Sequence, residues 1–380
     1  MNASKNIWVV YPFTACTLGV ADEYFVKSNT SNAFFVALRQ ARRILGVDAC
    51  AVCLTDAVAG YTISDKGVSF RFFPVSGKRG ADARAFGKQW SRYLVTNLIR
   101  ERPALVFLFI GYGWFAILLA AICQLLSIPY VPIIAGWGVS TRRSLRWYYG
   151  NALRTIVHTE THKKRFAEAG VDVGNFLVMP MGVDTDLFQA KPLSAYRKSP
   201  DQVRFIHVGR IVARKNLLLA LRTFAAIRKM SPGAHFDVVG PVGEREYYTR
   251  VTQYVKQRGL ESAVTFHGEV PNDRLPTFYQ KADLMLFPTL SESFGFVIAE
   301  SMACGTPVAA LSGKGSPDEL IQDGTDGILT SQERYTARVL SILHRPDELM
   351  KMGQAARGKV VEKYSSRRTY QQLQDLITIL

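Results

Sequence analysis

The chain has 380 residues, 48% of them hydrophobic and 21% charged, a composition that excludes disordered, collagen-like and low-complexity classes and suits two or three domains of roughly 150 residues each. Forty-seven Lys and Arg against 31 Asp and Glu leave a formal charge of +16. Such a field favours an acidic partner: nucleotide phosphates, anionic lipid, nucleic acid or a polyanionic glycan.

The first apolar run, Asn6–Tyr11, is followed by Pro12, Thr14 and Thr17, so a strand and its loop outrank a signal peptide there. A helix is expected over Ala33–Leu45 and a buried strand over Asp48–Leu54. That strand carries Cys50 and Cys53, formally a CxxC pair but read as inert core thiols. Five cysteines in a chain of this length give no disulfide framework and fit a reducing compartment. From Lys66 to Arg165 sixteen Lys and Arg face only three acids, Asp82, Glu101 and Glu160; this is either a solvated surface or a functional basic face.

Ala104 to Thr141 contains no charged residue and is long enough to span a bilayer. Gly111-Tyr-Gly113 divides it, however, into a strand, Ala104–Ile110, and a helix, Trp114–Ser127. Pro129 and Pro132 then mark a further strand, Tyr130–Ile134. A buried β-α-β unit is the preferred reading, ahead of a spanning helix or a surface-lying element. Strands Thr155–His158 and Phe176–Met179 follow, and after Phe188 the pattern lapses into a linker rich in Pro, Ser and Lys.

The alternation resumes with strands at Val203–Val208, His235–Val239, Ala263–His267, Leu284–Phe287 and Pro307–Leu311. Helices fall between them at Leu217–Met230, Tyr247–Arg258, Leu275–Lys281 and Phe294–Cys304. In the first of these, Leu217, Leu221, Phe224 and Ala225 share a face, while Arg222 and Lys229 lie elsewhere. Alternating β and α elements imply parallel sheets covered on both faces. Two such series suggest two doubly wound domains with a cleft between them, and ligands in these folds sit outside the carboxyl ends of the strands.

The stretch from Phe287 to Val308 is the most informative. A strand ends, a loop carries Glu292, and a helix opens near Phe294 and Gly295, where unpaired amides and the dipole make a phosphate seat. Glu292 and Glu300 would be roughly 12 Å apart if helical rise held throughout, a separation that lets two carboxylates bind two sugars flanking one pyrophosphate. Alone, such a pair is equally a solvated helix face. Cations to offset them stand in His207-Val-Gly-Arg-Ile-Val-Ala-Arg-Lys215: Gly209 gives backbone access, Arg210 grips phosphate oxygens in a fork and Lys215 acts as a point charge. Alone, these are equally two surface cations at a helix start. Asp184-Thr-Asp186 has the form of a metal motif, and His158 and His162 are four apart, but neither context suits a metal site.

From about Arg154 to Tyr364 these motifs resemble the retaining, nucleotide-sugar-dependent glycosyltransferases of family 4 (glycosyl transferases group 1). The likeness rests on Gly182-Val-Asp184 with Phe188, Gly209-Arg210 with Lys215, Asp237 to Gly240, Val264 to Gly268, Glu292 with Glu300, and Asp323 to Gly327. It implies the α/β GT-B fold: two doubly wound Rossmann-like domains facing an interdomain cleft. An acceptor-binding domain is expected over 1–190, a donor-binding domain over 191–365, and a C-terminal helix, 366–380, that packs back on the first. By resemblance Glu300 binds the donor ribose and Glu292 the transferred hexose. Arg210 and Lys215 hold the diphosphate with help from the Phe294 and Gly295 amides, and the backbone at Gly268–Val270 lines the base. The acceptor side departs from the family: the first loop has Gly19 alone, and Ala135 precedes Gly136-Trp137 where a His usually stands. Gly19 and Trp137 are the candidates there, with no catalytic base assigned.

The expected activity is transfer of a hexosyl-type sugar from a UDP- or GDP-linked donor to a hydroxyl acceptor, with Arg210, Lys215 and Glu292 as catalytic residues and no metal or other cofactor. The acceptor would be a lipid-linked or polyanionic glycan of cell-surface polysaccharide synthesis, or a soluble small molecule. The expected location is cytoplasmic, peripheral on the inner face of the membrane, with nucleic acid disfavoured as partner. A nucleotide-sugar 2-epimerase of the same fold is the alternative. Replacing Arg210 or Lys215 by Ala is expected to abolish turnover with the fold intact.

Overall fold

The first strand, β1 (Asn6–Thr14), shows how the first unit is built. Ile7, Val9, Tyr11 and Phe13 belong to one apolar cluster, whereas Trp8 and Val10 belong to another. Successive side chains of a strand point to opposite faces, so this sheet is covered on both sides, as parallel sheets are. The computed structural model describes residues 6–18, 20–30, 34–36, 38–39, 46, 48–76, 88–109, 113–136, 138–192, 202–343 and 345–378.

The other strands of this unit are β2 (Asp48–Thr55), β3 (Tyr61–Asp65), β4 (Val68–Pro74), β5 (Leu105–Phe109), β6 (Tyr130–Ile133), β7 (Thr155–Val157) and β8 (Phe176–Val178). They form one sheet in the order β3-β4-β2-β1-β5-β6-β7-β8. Among the described strands only β3 runs antiparallel to its neighbour. Lys66 and Gly67 turn that hairpin with φ of 46° and 77°, the double positive φ of a two-residue loop whose twist matches the strands. The hairpin and helix Arg92–Glu101 were not expected.

One face of the sheet is packed by helices Arg92–Glu101, Trp114–Leu125 and Arg143–Gly150 through Leu94, Leu98, Phe115, Leu119, Leu145 and Tyr148. The other receives Leu373, Leu376 and Ile377 of the last helix, Ser366–Thr378. Thr369 Oγ1 and Gln372 Nε2 of that helix donate to the carbonyls of Pro180 and Val178, at 2.9 and 3.0 Å. The first unit therefore comprises 1–182 and 366–380, and the second 183–365. The chain enters the second unit ahead of the expected position 190 because Val183 N–H donates to Tyr364 O and the Arg357 guanidinium holds the carbonyls of Thr185, Phe188 and Ala303.

The uncharged stretch resolves into β5, a twelve-residue helix and β6; among the described residues no helix is long and apolar enough to cross a membrane. Cys50 and Cys53 lie in β2, and burial pushes the Cys50 thiol up to about 11 and that of Cys53 well up, which keeps both protonated and unreactive. Of the expected helix Ala33–Leu45, residues 34–36 and 38–39 are helical; the rest of it, and most of the proposed linker after Phe188, lie outside the described residues.

The second unit has strands β9 (Arg204–Val208), β10 (His235–Val239), β11 (Val264–Gly268), β12 (Leu284–Phe287), β13 (Val308–Leu311) and β14 (Gly327–Thr330). They pair in parallel in the order β11-β10-β9-β12-β13-β14. Counted within the unit this is the 3-2-1-4-5-6 arrangement of dinucleotide-binding domains, whose order reverses between the first and fourth strands. Here that point lies between β9 and β12. Helix Leu217–Met230 buries Leu217, Leu221 and Phe224 as its periodicity predicts, together with Ala220 and Ile227.

Candidate active site

The chain leaves β9 at Gly209, which adopts φ 147°. A side chain at Gly240, just past β10, would place Cβ 2.1 Å from the Gly209 carbonyl oxygen, so the two loops pack backbone on backbone. Gly209 N–H donates to Val239 O at 2.9 Å and Gly240 N–H to Gly268 O at 2.7 Å. These bonds fix the ends of β9, β10 and β11 in a row. Arg210 follows with its side chain exposed. A 3-10 turn, Ala213–Lys215, then brings Lys215 inward, and Asn216 in left-handed conformation starts the next helix.

Lys215 is buried, with Nζ 4.7 Å from the ring centroid of Phe287, the last residue of β12. Burial pulls its pKa below the usual lysine range, with the Glu292 carboxylate opposing that shift and the Arg214 and Arg210 charges adding to it. Nζ donates to Glu292 Oε2. The loop after β12 is tied to the 3-10 turn by the backbone as well. Leu290 N–H donates to Arg214 O at 2.9 Å, and Arg214 Nη1 donates to the Ser291 carbonyl. The two segments that hold the cations and the first carboxylate are thus one structural piece at the reversal point of the sheet.

Glu292 is held from behind. Its N–H donates to Lys314 O at 2.9 Å, its carbonyl accepts from Ser316 N–H at 3.1 Å, and Oε1 accepts from Ser293 N–H at 3.2 Å. The expected helix Phe294–Cys304 is shorter, Phe296–Ala303, because Gly295 at φ 80° is left-handed and serves as its cap. Glu292 therefore sits on a loop, and the helical 12 Å spacing to Glu300 does not apply. A Cβ on Gly295 would lie 3.0–3.2 Å from Ile298 Cδ1, Ser316 Oγ and Glu292 Cγ. The helix has no side-chain cap and no acid in its first turn, so its positive end faces the loop that carries Glu292.

Glu300 lies inside that helix, buried, and accepts from Tyr279 Oη at 2.9 Å. Burial pushes its carboxyl up to about 7, with the Tyr279 hydrogen bond acting in the opposite direction. Sequence reasoning missed Tyr279 and the Gly313–Ser316 loop that clasps Glu292; neither carries a pattern of its own. Gly268 ends β11 with φ 67° and is exposed, and Val270 is half-buried two residues on.

The structure brings together Gly209, Lys215, Glu292 and Gly295, sets the Phe294 ring against Phe296 and Tyr364, places Arg210 at the same strand end, and reaches Gly268 through Gly240. Gly19 and Trp137 lie outside the described residues. Asp184 Oδ1 accepts from the N–H groups of Asp186 and Leu187 at 3.0 and 3.1 Å, so that segment is a side-chain-closed turn. Burial pushes both His158 and His162 down to about 4. Among the described residues no group of three or more His, Cys, Asp or Glu is placed to hold a metal ion.

Residues 193–359 match the family glycosyl transferases group 1. The chain resembles D-inositol 3-phosphate glycosyltransferase of Segniliparus rotundus, 33% identical over 186 residues, which are 47% of this chain and 41% of that protein. D-inositol 3-phosphate glycosyltransferase 2 of Catenulispora acidiphila is 30% identical over 217 residues, 53% of this chain and 51% of that one. The chain thus spans about half the length, or less, of these curated relatives. The solved structure of Anabaena HepE in complex with UDP and glucose superposes with a TM-score of 0.72 at 18% identity, covering both chains in full. Sucrose-phosphate synthase of Thermosynechococcus elongatus gives 0.74 at 16% identity, over 98% of each chain. The fold is GT-B, with two Rossmann-like parallel-sheet units. Within it, residues 193–359, inside the second unit, are the segment that is similar to the glycosyl transferases group 1 family.

Proposed function

We propose that the protein is a glycosyltransferase that moves a hexosyl-type sugar from a UDP- or GDP-linked donor to a hydroxyl acceptor with retention of anomeric configuration. The observation that carries this reading is the meeting of Lys215 with Glu292, beside Arg210, at the ends of β9 and β12. Cleaving a sugar–phosphate bond puts negative charge on the departing diphosphate. Arg210, Lys215 and the amide end of helix Phe296–Ala303 stabilise that charge where it develops, without calling on a metal. Glu292 holds the hexose, Glu300 the ribose, and the backbone at Gly268–Val270 the base. The reaction passes through an oxocarbenium-like state, and a donor phosphate oxygen takes the acceptor proton. HepE was crystallised with UDP and glucose, which supports a uridine donor.

The acceptor is read as anionic, on a lipid-linked or polyanionic carrier of cell-surface polysaccharide synthesis, and the protein as cytoplasmic and peripheral. The +16 charge and relatives named for D-inositol 3-phosphate, an anionic compound, support this. The test is incubation with a panel of nucleotide sugars and acceptors, with the product anomer read by NMR. Retained configuration and loss of turnover in Arg210→Ala are expected. Inverted product, or near-normal rates in that variant, would overturn the proposal, and epimerised sugar nucleotide from donor alone would replace it with the 2-epimerase reading.

A further inference from the structure

Helix Trp114–Leu125 in the first unit contains no charged residue, and one side of it is uncovered. Phe115, Ala116, Leu119, Ala120 and Cys123 are buried in the core, whereas Trp114, Leu118 and Leu125 are 48%, 37% and 85% exposed. With exposed Ala121 between them, these positions fall along one stripe of the helix surface.

The flanks of the stripe are basic. Helix Arg143–Gly150 lies alongside, joined by Gln124 Nε2 donating to Asn151 Oδ1 at 2.8 Å, and it turns Arg143, Arg146 and the half-exposed Trp147 to solvent. On the other side the Trp90 and Trp114 rings are 6.2 Å apart, and helix Arg92–Glu101 exposes Arg92, Tyr93 and Arg100. Between residues 88 and 159 the sequence has one acid, Glu101, and Arg71 engages it through two hydrogen bonds of 2.7 Å. All three helices pack on the same face of the sheet through one apolar cluster, so their outer sides form one surface.

We propose that this surface docks on an anionic lipid bilayer. The Trp114–Leu125 stripe would enter the boundary between headgroups and acyl chains, and the arginines would meet lipid phosphates. An apolar stripe edged by Trp, Tyr and Arg, on three helices whose one acid is the Arg71-paired Glu101, has the composition of an interfacial helix. A second copy of the chain would bring like-charged arginine rows together, which opposes self-association through this face. The inference stands on the first unit alone and holds whether or not the transfer reading does.

Flotation of the full chain with vesicles of phosphatidylcholine, alone or mixed with phosphatidylglycerol, tests it. The protein should float with the mixed vesicles only, and high salt should weaken but not abolish that binding. Leu118→Ser/Leu125→Ser and Arg143→Gln/Arg146→Gln should each bind about tenfold more weakly, with unchanged melting temperature and unchanged stabilisation by nucleotide sugar. Equal binding to both vesicle types, no binding to either, or variants that bind like the parent would overturn it. So would a dimer in solution that Leu118→Ser/Leu125→Ser converts to monomer, which would assign the face to a second copy.

Discussion

Lys215 and Glu292, 77 residues apart in the chain, meet as a buried ion pair where β9 and β12 end, each side chain 11% exposed. Removing one partner leaves the other charge buried without compensation, which costs more than the pair itself contributes. Glu292→Ala should therefore destabilise the second unit by about 3 kcal/mol in urea denaturation. Lys215→Met/Glu292→Leu should lose clearly less than the sum of its single variants. Additive losses would mean that the two charges do not depend on each other. The sequence-based expectation that Lys215→Ala leaves the fold intact changes accordingly: that variant should lose stability along with turnover.

Arg210 is the contrasting case, because its side chain is exposed. Arg210→Ala should stay within about 0.5 kcal/mol of the parent in stability while kcat falls by roughly 10²–10³, the usual cost of one donor to a developing anion. A melting temperature lowered as far as that of Lys215→Ala would show a structural role instead.

Glu300 gives a pH signature. Its carboxyl lies at about 7 in the folded chain against an ordinary 4.5, so between those values the native state binds more protons than the unfolded one. Stability then falls as pH rises through that window, and the full cost is present above about 7. Glu300→Gln keeps an acceptor for Tyr279 and carries no charge. It should be more stable than the parent at pH 8, by up to about 3 kcal/mol, and equal to it at pH 4. Denaturation curves at the two pH values read this directly, and a constant difference between the proteins would contradict it. The same variant should bind nucleotide sugar more weakly.

Gly240 holds the Gly209 loop in place by having no side chain. With Cβ only 2.1 Å from the Gly209 carbonyl oxygen and φ at 137°, Gly240→Ala must displace backbone. It should yield little folded protein, or a protein that has lost nucleotide binding. A well-folded variant with parental affinity would show that Gly209 does not need this contact.

Strands β9, β12 and β13 were legible because they are short, mostly apolar and almost fully buried runs, the pattern of a sheet covered on both faces, whereas β14 was not expected. Strand β3 escaped because Tyr61–Asp65 is polar and mostly exposed at the sheet edge, where no burial pattern marks it. Arg210, Lys215, Glu292 and Glu300 stood out after strand ends, but spacing alone left them equally surface charges, and the family resemblance singled them out. Tyr279 could not, since its contact with Glu300 arises from two helices packing and not from any local motif. The start of the last motif helix was misplaced by two residues for a single reason: Gly295 is left-handed, and a sequence shows a glycine but not the sign of its φ.

The central claim is that the ends of β9 and β12 bind a nucleotide-diphosphate sugar. The most direct measurement is calorimetric titration of the full chain and of Arg210→Ala with UDP- and GDP-sugars. One of these ligands should bind the parent protein and bind Arg210→Ala at least about tenfold more weakly, the loss of a charge-assisted phosphate contact. Absence of binding by every such donor, or equal affinity in the two proteins, would contradict the account.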